Sequence, residues 1–385
     1  MINEVAKEKI QNYIEYLLEN STAEKPMWNM EKVLSGEPNK WNYIDGCMIT
    51  AVLSLYEITG KEKYFTFARD FVDYFVNDDG TINTYSVEEY NLDNVNAGRN
   101  LFYLYEKTGD EKYFKAIELI RSQLENMPRT KEGNFWHKKI YPYQVWLDGL
   151  YMAQPFYMLY ETRFNKLANC QDIINQFENV EKHMKDPVTG LYYHGYDESR
   201  EMYWADKETG CSQNFWGRAI GWFVVALVET ANATDETLYY EYRYLISLLK
   251  GLVDSLIPYQ DKSGMFWQVI DKPNVNGNYL ETSSTALIAY GILKAVRLGY
   301  LPKKYQDIAV KAVNGIMEKY LMIDSDGTLN LGGICLVAGL GGNSQRDGSL
   351  DYYFSEPVVK NEAKGVAPFL LAYTEILRIE SETVA

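Results

Sequence analysis

LYEITGKEKYF at residues 55–65 returns as LYEKTGDEKYF at residues 104–114, 49 positions further on and changed at two of eleven places. Self-similarity at such a period marks a repeated supersecondary unit. The unit reads as a helix, a turn at T-G-K/D, and a second helix opening near E-K-Y-F. Gly60 and Gly109 stand where a helix end calls for a left-handed residue. Weaker copies begin at Leu159, Leu227 and Ile292. LLAYTEILRI, from Leu370, closes the series, with the N-terminal helix as its partner across the closure.

The helices sort into two sets. Residues 46–59, 95–108, 149–162, 218–230, 282–298 and 366–378 are poor in charge, several of them rich in Gly, Ala and Tyr. A helix apolar on nearly all sides is buried. Residues 3–19, 61–76, 111–126, 166–185, 236–256 and 303–321 carry Lys and Glu along one face, as outer helices do. Six inner and six outer helices in alternation predict an all-α (α/α)6 barrel. Length alone suggests two or three domains, but one toroid of hairpins uses the whole chain, 1–385, as a single domain.

The net charge of −15 and pI of 4.8 argue against nucleic acid and anionic membrane surfaces as partners. An anionic small substrate stays possible where local cations line its pocket. No run of about 18 apolar residues marks a membrane span. The N-terminus lacks a basic segment followed by an apolar run, so no secretory signal is expected. Cys47, Cys170, Cys211 and Cys335 form no C-x-x-C pair and read as reduced thiols. A cytoplasmic protein is expected. No H-E-x-x-H, P-loop or G-x-S-x-G element is present, so no metal, cofactor or serine nucleophile is predicted. The 33 tyrosines suit a pocket for a polar ring, or a half-polar core.

Inner-to-outer turns are short, whereas outer-to-inner loops are long. The long loops open at 79–80, 132–133, 189–190, 263–264 and 326–327 with a residue followed by Gly, and run on through aromatic and polar residues. They must share one rim with the N-termini of the inner helices, where function concentrates. Polar and aromatic clusters enter the inner helices at 41–46, 90–94, 146–152, 215–222, 281–285 and 356–365. Asp45, Asp93 and Asp148 lie among them. Each reads as a helix N-cap or as a site carboxylate. Crowding with aromatics and other carboxylates raises the pKa of such a group, as a general acid needs. His137, Lys138, His194 and Arg218 form a positive patch or are ordinary hydrogen-bonded loop residues; His183, on an outer helix, is expected in solvent.

WLDGLYMAQPF (146–156), FWGRAIGW (215–222), ETSSTALIAYGI (281–292) and YYFSEPVVKNEAKGVAPFLLA (352–372) resemble the unsaturated rhamnogalacturonyl hydrolases of glycoside hydrolase family 105. These are related to the unsaturated glucuronyl hydrolases of family 88. The resemblance covers nearly the whole chain and implies an (α/α)6 barrel. It implies a substrate that is a short oligosaccharide with a 4,5-unsaturated uronic acid at its non-reducing end, and no metal or nucleotide. It further implies that Asp148, in the D-G-x-Y-M block, protonates C4 of the vinyl ether and then activates water for C5. Asp93 matches the family's second aspartate. His137, Lys138, His194 and Arg218 become candidate sugar contacts, and Tyr43, Met152, Trp216 and Trp222 candidate apolar walls. The family's W-A-R-G-N-G-W is here Trp216-Gly217-Arg218-Ala219-Ile220-Gly221-Trp222, a change that bears on helix packing and substrate preference. The rival expectations are a glucuronyl hydrolase acting on glycosaminoglycan fragments, a histidine-based sugar epimerase, and a carbohydrate-binding protein without turnover.

Overall fold

Where the helix Glu62–Asp73 runs, only Tyr64, Ala68, Phe71 and Val72 are buried, a stripe along one side. The helix Tyr43–Thr59 before it is buried from Ile44 to Leu55 at every position but Thr50. That contrast of outer and inner helices recurs around the molecule. The structure, a computed structural model, describes residues 2–342 and 345–384. The end residues 1 and 385 of the expected single domain lie outside the described residues. The inner helices are Tyr43–Thr59, Arg99–Thr108, Leu147–Arg163, Gly217–Ala233, Thr282–Arg297 and Ala363–Val384. The outer ones are Glu4–Glu19, Glu62–Asp73, Glu111–Glu125, Cys170–Met184, Tyr239–Leu256 and Gln306–Tyr320. Each inner helix packs on the next, and the last returns to the first, so the ring closes. This is the (α/α)6 barrel. Gly60 and Gly109 end their helices at φ +65° and +68°, donating back to Tyr56 and Tyr105 carbonyls.

One helix departs from expectation. Instead of running unbroken over 95–108, the second inner helix is a short turn, Asp93–Asn96, followed by Arg99–Thr108. The step uses tight i→i+3 bonds, from Gly98 to Val95, Asn100 to Ala97 and Leu101 to Gly98. The Asn100 amide bridges it, donating to the Gly46 and Ala97 carbonyls. The two helices touch so closely that a Cβ on Gly46 would lie 2.6 Å from Ala97 Cα.

The long loops share one rim and are stitched to their neighbours. Asn91 bridges to Lys138, strand Gln144–Trp146 pairs with Gly195–Asp197, and Trp216 bridges to Val269. Farther round, the Glu281 carboxylate accepts from Cys335 N, and Ala363 N donates to the Trp28 carbonyl. At the opposite end, the C-terminal halves of the inner helices line a well of about 360 Å3. Glu229 sits there, accepting from Arg99 and Lys294 at 2.8 Å each and from the Tyr290 hydroxyl. Burial opposes its charge, but Lys294 and Arg99 outweigh burial and hold the carboxyl down at about 2. The Arg99 guanidinium also lies 5.3 Å from the Tyr151 ring, which stacks on Trp222 at 4.8 Å. Ion pairs at the floor thus brace an aromatic column that rises toward the rim. Among the described residues, no helix is long and apolar enough to cross a membrane.

Candidate active site

The pairing of Gln144–Trp146 with Gly195–Asp197 places the start of the third inner helix against the fourth loop. Leu147 N donates to the His194 carbonyl at 3.1 Å, which brings Asp148 beside the His194 ring. Gly149 lets the two preceding loops close in: a Cβ there would stand 3.1 Å from His137 Nδ1 and 3.2 Å from Leu92. Trp146 links the two histidines. Its indole stacks on His137 at 4.4 Å and meets His194 edge-on at 5.6 Å. On its other side His194 contacts Trp216 at 4.6 Å.

Neither Asp148 nor Asp93 is a helix cap. The helices they open are preceded by Trp146 and Leu92, which make no side-chain cap bonds, and Asp148 Oδ2 has no hydrogen-bond partner among the described residues. Asp148, 13% exposed, holds Oδ2 at 3.4 Å from His194 Nε2. His194 Nδ1 is 2.8 Å from the Tyr353 hydroxyl. Asp45 is structural instead. It accepts from Trp28, Asn39 and Asn42, and burial pushes its carboxyl up to about 6.

Asp93 corrects the expectation of raised carboxyls. Its Oδ2 lies 2.6 Å from Lys138 Nζ and its Oδ1 3.5 Å from His137 Nε2. Burial pushes this carboxyl up, but the neighbouring Lys138 ammonium wins and holds it below the usual range. The positive patch is corrected as well. Lys138 is taken up by Asp93. Arg218 is buried, donating to Ser283 Oγ at 2.7 Å, to the Leu336 carbonyl at 3.4 Å and to the Cys335 carbonyl, with Glu281 at 3.7 Å. Burial also keeps His137 neutral, pushing it down to about 4. His183 is not simply solvated; it stacks on Tyr196 and bonds Glu132.

Of the expected walls, Met152, Trp216 and Trp222 are almost wholly buried. Tyr43 is half-buried, edge-on to Trp222. With Asp93, Trp41, Asn42, Asn91 and Asn94 it lines a groove of about 530 Å3. Trp146, Tyr353 and Glu281 were not singled out as site residues from sequence. All three lie inside the motif blocks quoted above, which was the available signal.

His137 makes stability depend on pH. Its folded pKa of about 4 lies below the unfolded value near 6.5, so the unfolded chain binds the extra proton between these limits. Stability is therefore present above pH 6.5 and is lost as pH falls toward 4, by about 3 kcal/mol at most from this residue. Urea unfolding at pH 7 and pH 4.5 checks it: His137→Gln is expected to show a smaller difference between the two than the parent. An equal loss in both proteins would mean that His137 is not the group responsible.

Comparison with known proteins shows what the whole chain is similar to. The model of Glycosyl Hydrolase Family 88 matches residues 6–380. A solved family 105 glycoside hydrolase of C. acetobutylicum ATCC 824 is 46% identical, with a TM-score of 0.85 over 88% of this chain and 94% of its own. The unsaturated rhamnogalacturonyl hydrolase YesR of Bacillus subtilis is 27% identical over 285 residues, 72% of this chain and 77% of YesR. The unsaturated glucuronyl hydrolase of Bacillus sp. GL1, 16% identical with a TM-score of 0.64 over 89% of this chain and 88% of its own, shares the fold. The chain belongs to Glycosyl Hydrolase Family 88, in its family 88/105 group, and is a glycoside hydrolase.

Proposed function

We propose that this enzyme, acting as one catalytic domain, releases a 4,5-unsaturated uronic acid from the non-reducing end of short lyase-generated oligosaccharides. The preferred class is unsaturated galacturonyl-rhamnose, as in pectin breakdown. The carrying observation is the state of Asp148: a carboxylate at a helix start that caps nothing, with Oδ2 beside His194 and unpartnered among the described residues. Such a group is available for chemistry. Asp93, held ionised by Lys138, suits sugar hydroxyls, and the groove beside it has room for the sugars that follow.

In this reading Asp148 gives its proton to C4, and positive charge develops at C5 and the ring oxygen. Asp148 then takes a proton from the water that adds at C5. The hemiketal opens to a C5 ketone as its bond to the ring oxygen breaks, and the C1 hemiacetal expels the next sugar. One water is consumed overall. Ordinary glycosidases flank the anomeric carbon with two carboxylates. Here one carboxyl group acts twice, and Asp93 is left to bind.

The test is a panel of lyase-derived unsaturated disaccharides, followed by loss of C4=C5 ultraviolet absorbance and by release of the second sugar. The expected result is turnover of the galacturonyl-rhamnose member ahead of glycosaminoglycan members. Faster turnover of the latter would assign the glucuronyl activity instead. Binding without absorbance loss, or isomerisation without cleavage, would sink the hydrolase reading.

A further inference from the structure

We infer that Tyr353 is a positioning residue: it fixes the tautomer of His194 and so decides which oxygen of Asp148 carries the proton given to the sugar. The inference rests on the reading of Asp148 as the proton donor. His194 is fully buried, packed against Trp216 at 4.6 Å and Trp146 at 5.6 Å, so its ring is not placed to grip a ligand. Among the described residues its two nitrogens face two groups: Nδ1 the Tyr353 hydroxyl at 2.8 Å, and Nε2 the Oδ2 of Asp148 at 3.4 Å.

A neutral imidazole carries one proton, and the bond made by one nitrogen sets the state of the other. Tyr353 is fully buried, and burial raises its phenol well above the ordinary value, so it stays protonated. The Tyr353 hydroxyl has no other acceptor among the described residues, so its O–H donates to Nδ1, and the imidazole proton sits on Nε2 and points at Oδ2. Oδ2 is then the accepting oxygen, and the acidic proton of Asp148 resides on Oδ1. The opposite tautomer turns a bare Nε2 lone pair toward Oδ2. That pair either repels the carboxylate or draws its proton onto Oδ2, away from the sugar. The 3.4 Å spacing is long for a hydrogen bond, as is common before a substrate tightens the site. When Asp148 gives its proton to C4, the Nε2–H steadies the new carboxylate until it takes a proton from water. His194 and Tyr353 end as they began.

The chain has three histidines, which makes ring 15N spectra tractable. His137→Gln and His183→Gln variants assign the remaining signals. In the unsubstituted protein His194 is expected to be protonated at Nε2 and bare at Nδ1. In Tyr353→Phe the signals are expected to move toward the other tautomer, with kcat down about 10–100-fold and KM little changed. A parent His194 protonated at Nδ1 overturns the inference, and that spectrum needs no variant to fold. So does a Tyr353→Phe protein with the parent tautomer, or with kcat within about twofold of the parent. If the enzyme turned over no unsaturated oligosaccharide, the proposed function would fail on its own, while the tautomer measurement would stand separately.

Discussion

Asp148→Asn is expected to lower the turnover of unsaturated substrate by about 10²–10⁴-fold while leaving the urea midpoint nearly unchanged. Asparagine keeps the shape of the side chain but can neither deliver a proton to C4 nor collect one from water. The structure gives the reason stability should hold. Asp148 caps no helix end, and its Oδ2 has no hydrogen-bond partner among the described residues, so the substitution removes no bond that folding relies on. A cost within about 1 kcal/mol follows. Initial rates from ultraviolet absorbance and urea titrations of the same preparations check both halves. Parent-rate turnover by the variant would remove Asp148 from the chemistry. A collapse of stability would make it a structural residue.

The second large effect falls at the far end of the barrel. Glu229→Ala is expected to destabilise the protein by about 3–5 kcal/mol, because it strands two cations. Arg99 and Lys294 are about nine-tenths buried and both donate to this one carboxylate. Glu229→Gln keeps the volume and part of the hydrogen bonding, so its cost should be smaller. The sign with pH follows from the depressed carboxyl. Its folded value of about 2 lies below the ordinary 4.5, so its contribution is whole above pH 4.5 and is lost as pH falls through 2. Urea midpoints at pH 7 and pH 3 read this out: the gap between parent and variant narrows in acid. A Glu229→Ala protein within about 1 kcal/mol of the parent at pH 7 would show the cluster to be hydrated and weak.

The barrel was legible because each hairpin is local: one buried helix and one striped helix declare themselves within about 30 residues, with a turn glycine between them at Gly60 and Gly109. The break at Ala97-Gly98 was not, since the contacts made there reach Gly46, some 50 positions earlier, and Phe156, well beyond the hairpin. Asp148, Asp93, His137, Lys138 and His194 were visible as residues of rim loops. Their partnerships were not, because ring closure alone decides which loops meet. Lys138 reads as a free cation until the loops bring it to Asp93. Arg218 reads as a ligand contact until the structure buries it and turns its guanidinium to the Cys335 and Leu336 carbonyls, more than 100 positions on. Tyr353 stands 159 positions from the histidine it bonds. The charge state of each group depends on such pairs, which explains why the carboxyl of Asp93 moved opposite to expectation.

The three-residue strand pair and the single-residue bridges that stitch one loop to the next carry a thermodynamic consequence. Segments this long would ordinarily have to surrender many rotational states when a sugar arrives. Here each is already pinned to its neighbour by backbone bonds, so that entropic penalty falls on folding rather than on association. The incoming oligosaccharide then gives up chiefly its own freedom, and the rim behaves as a preformed mould.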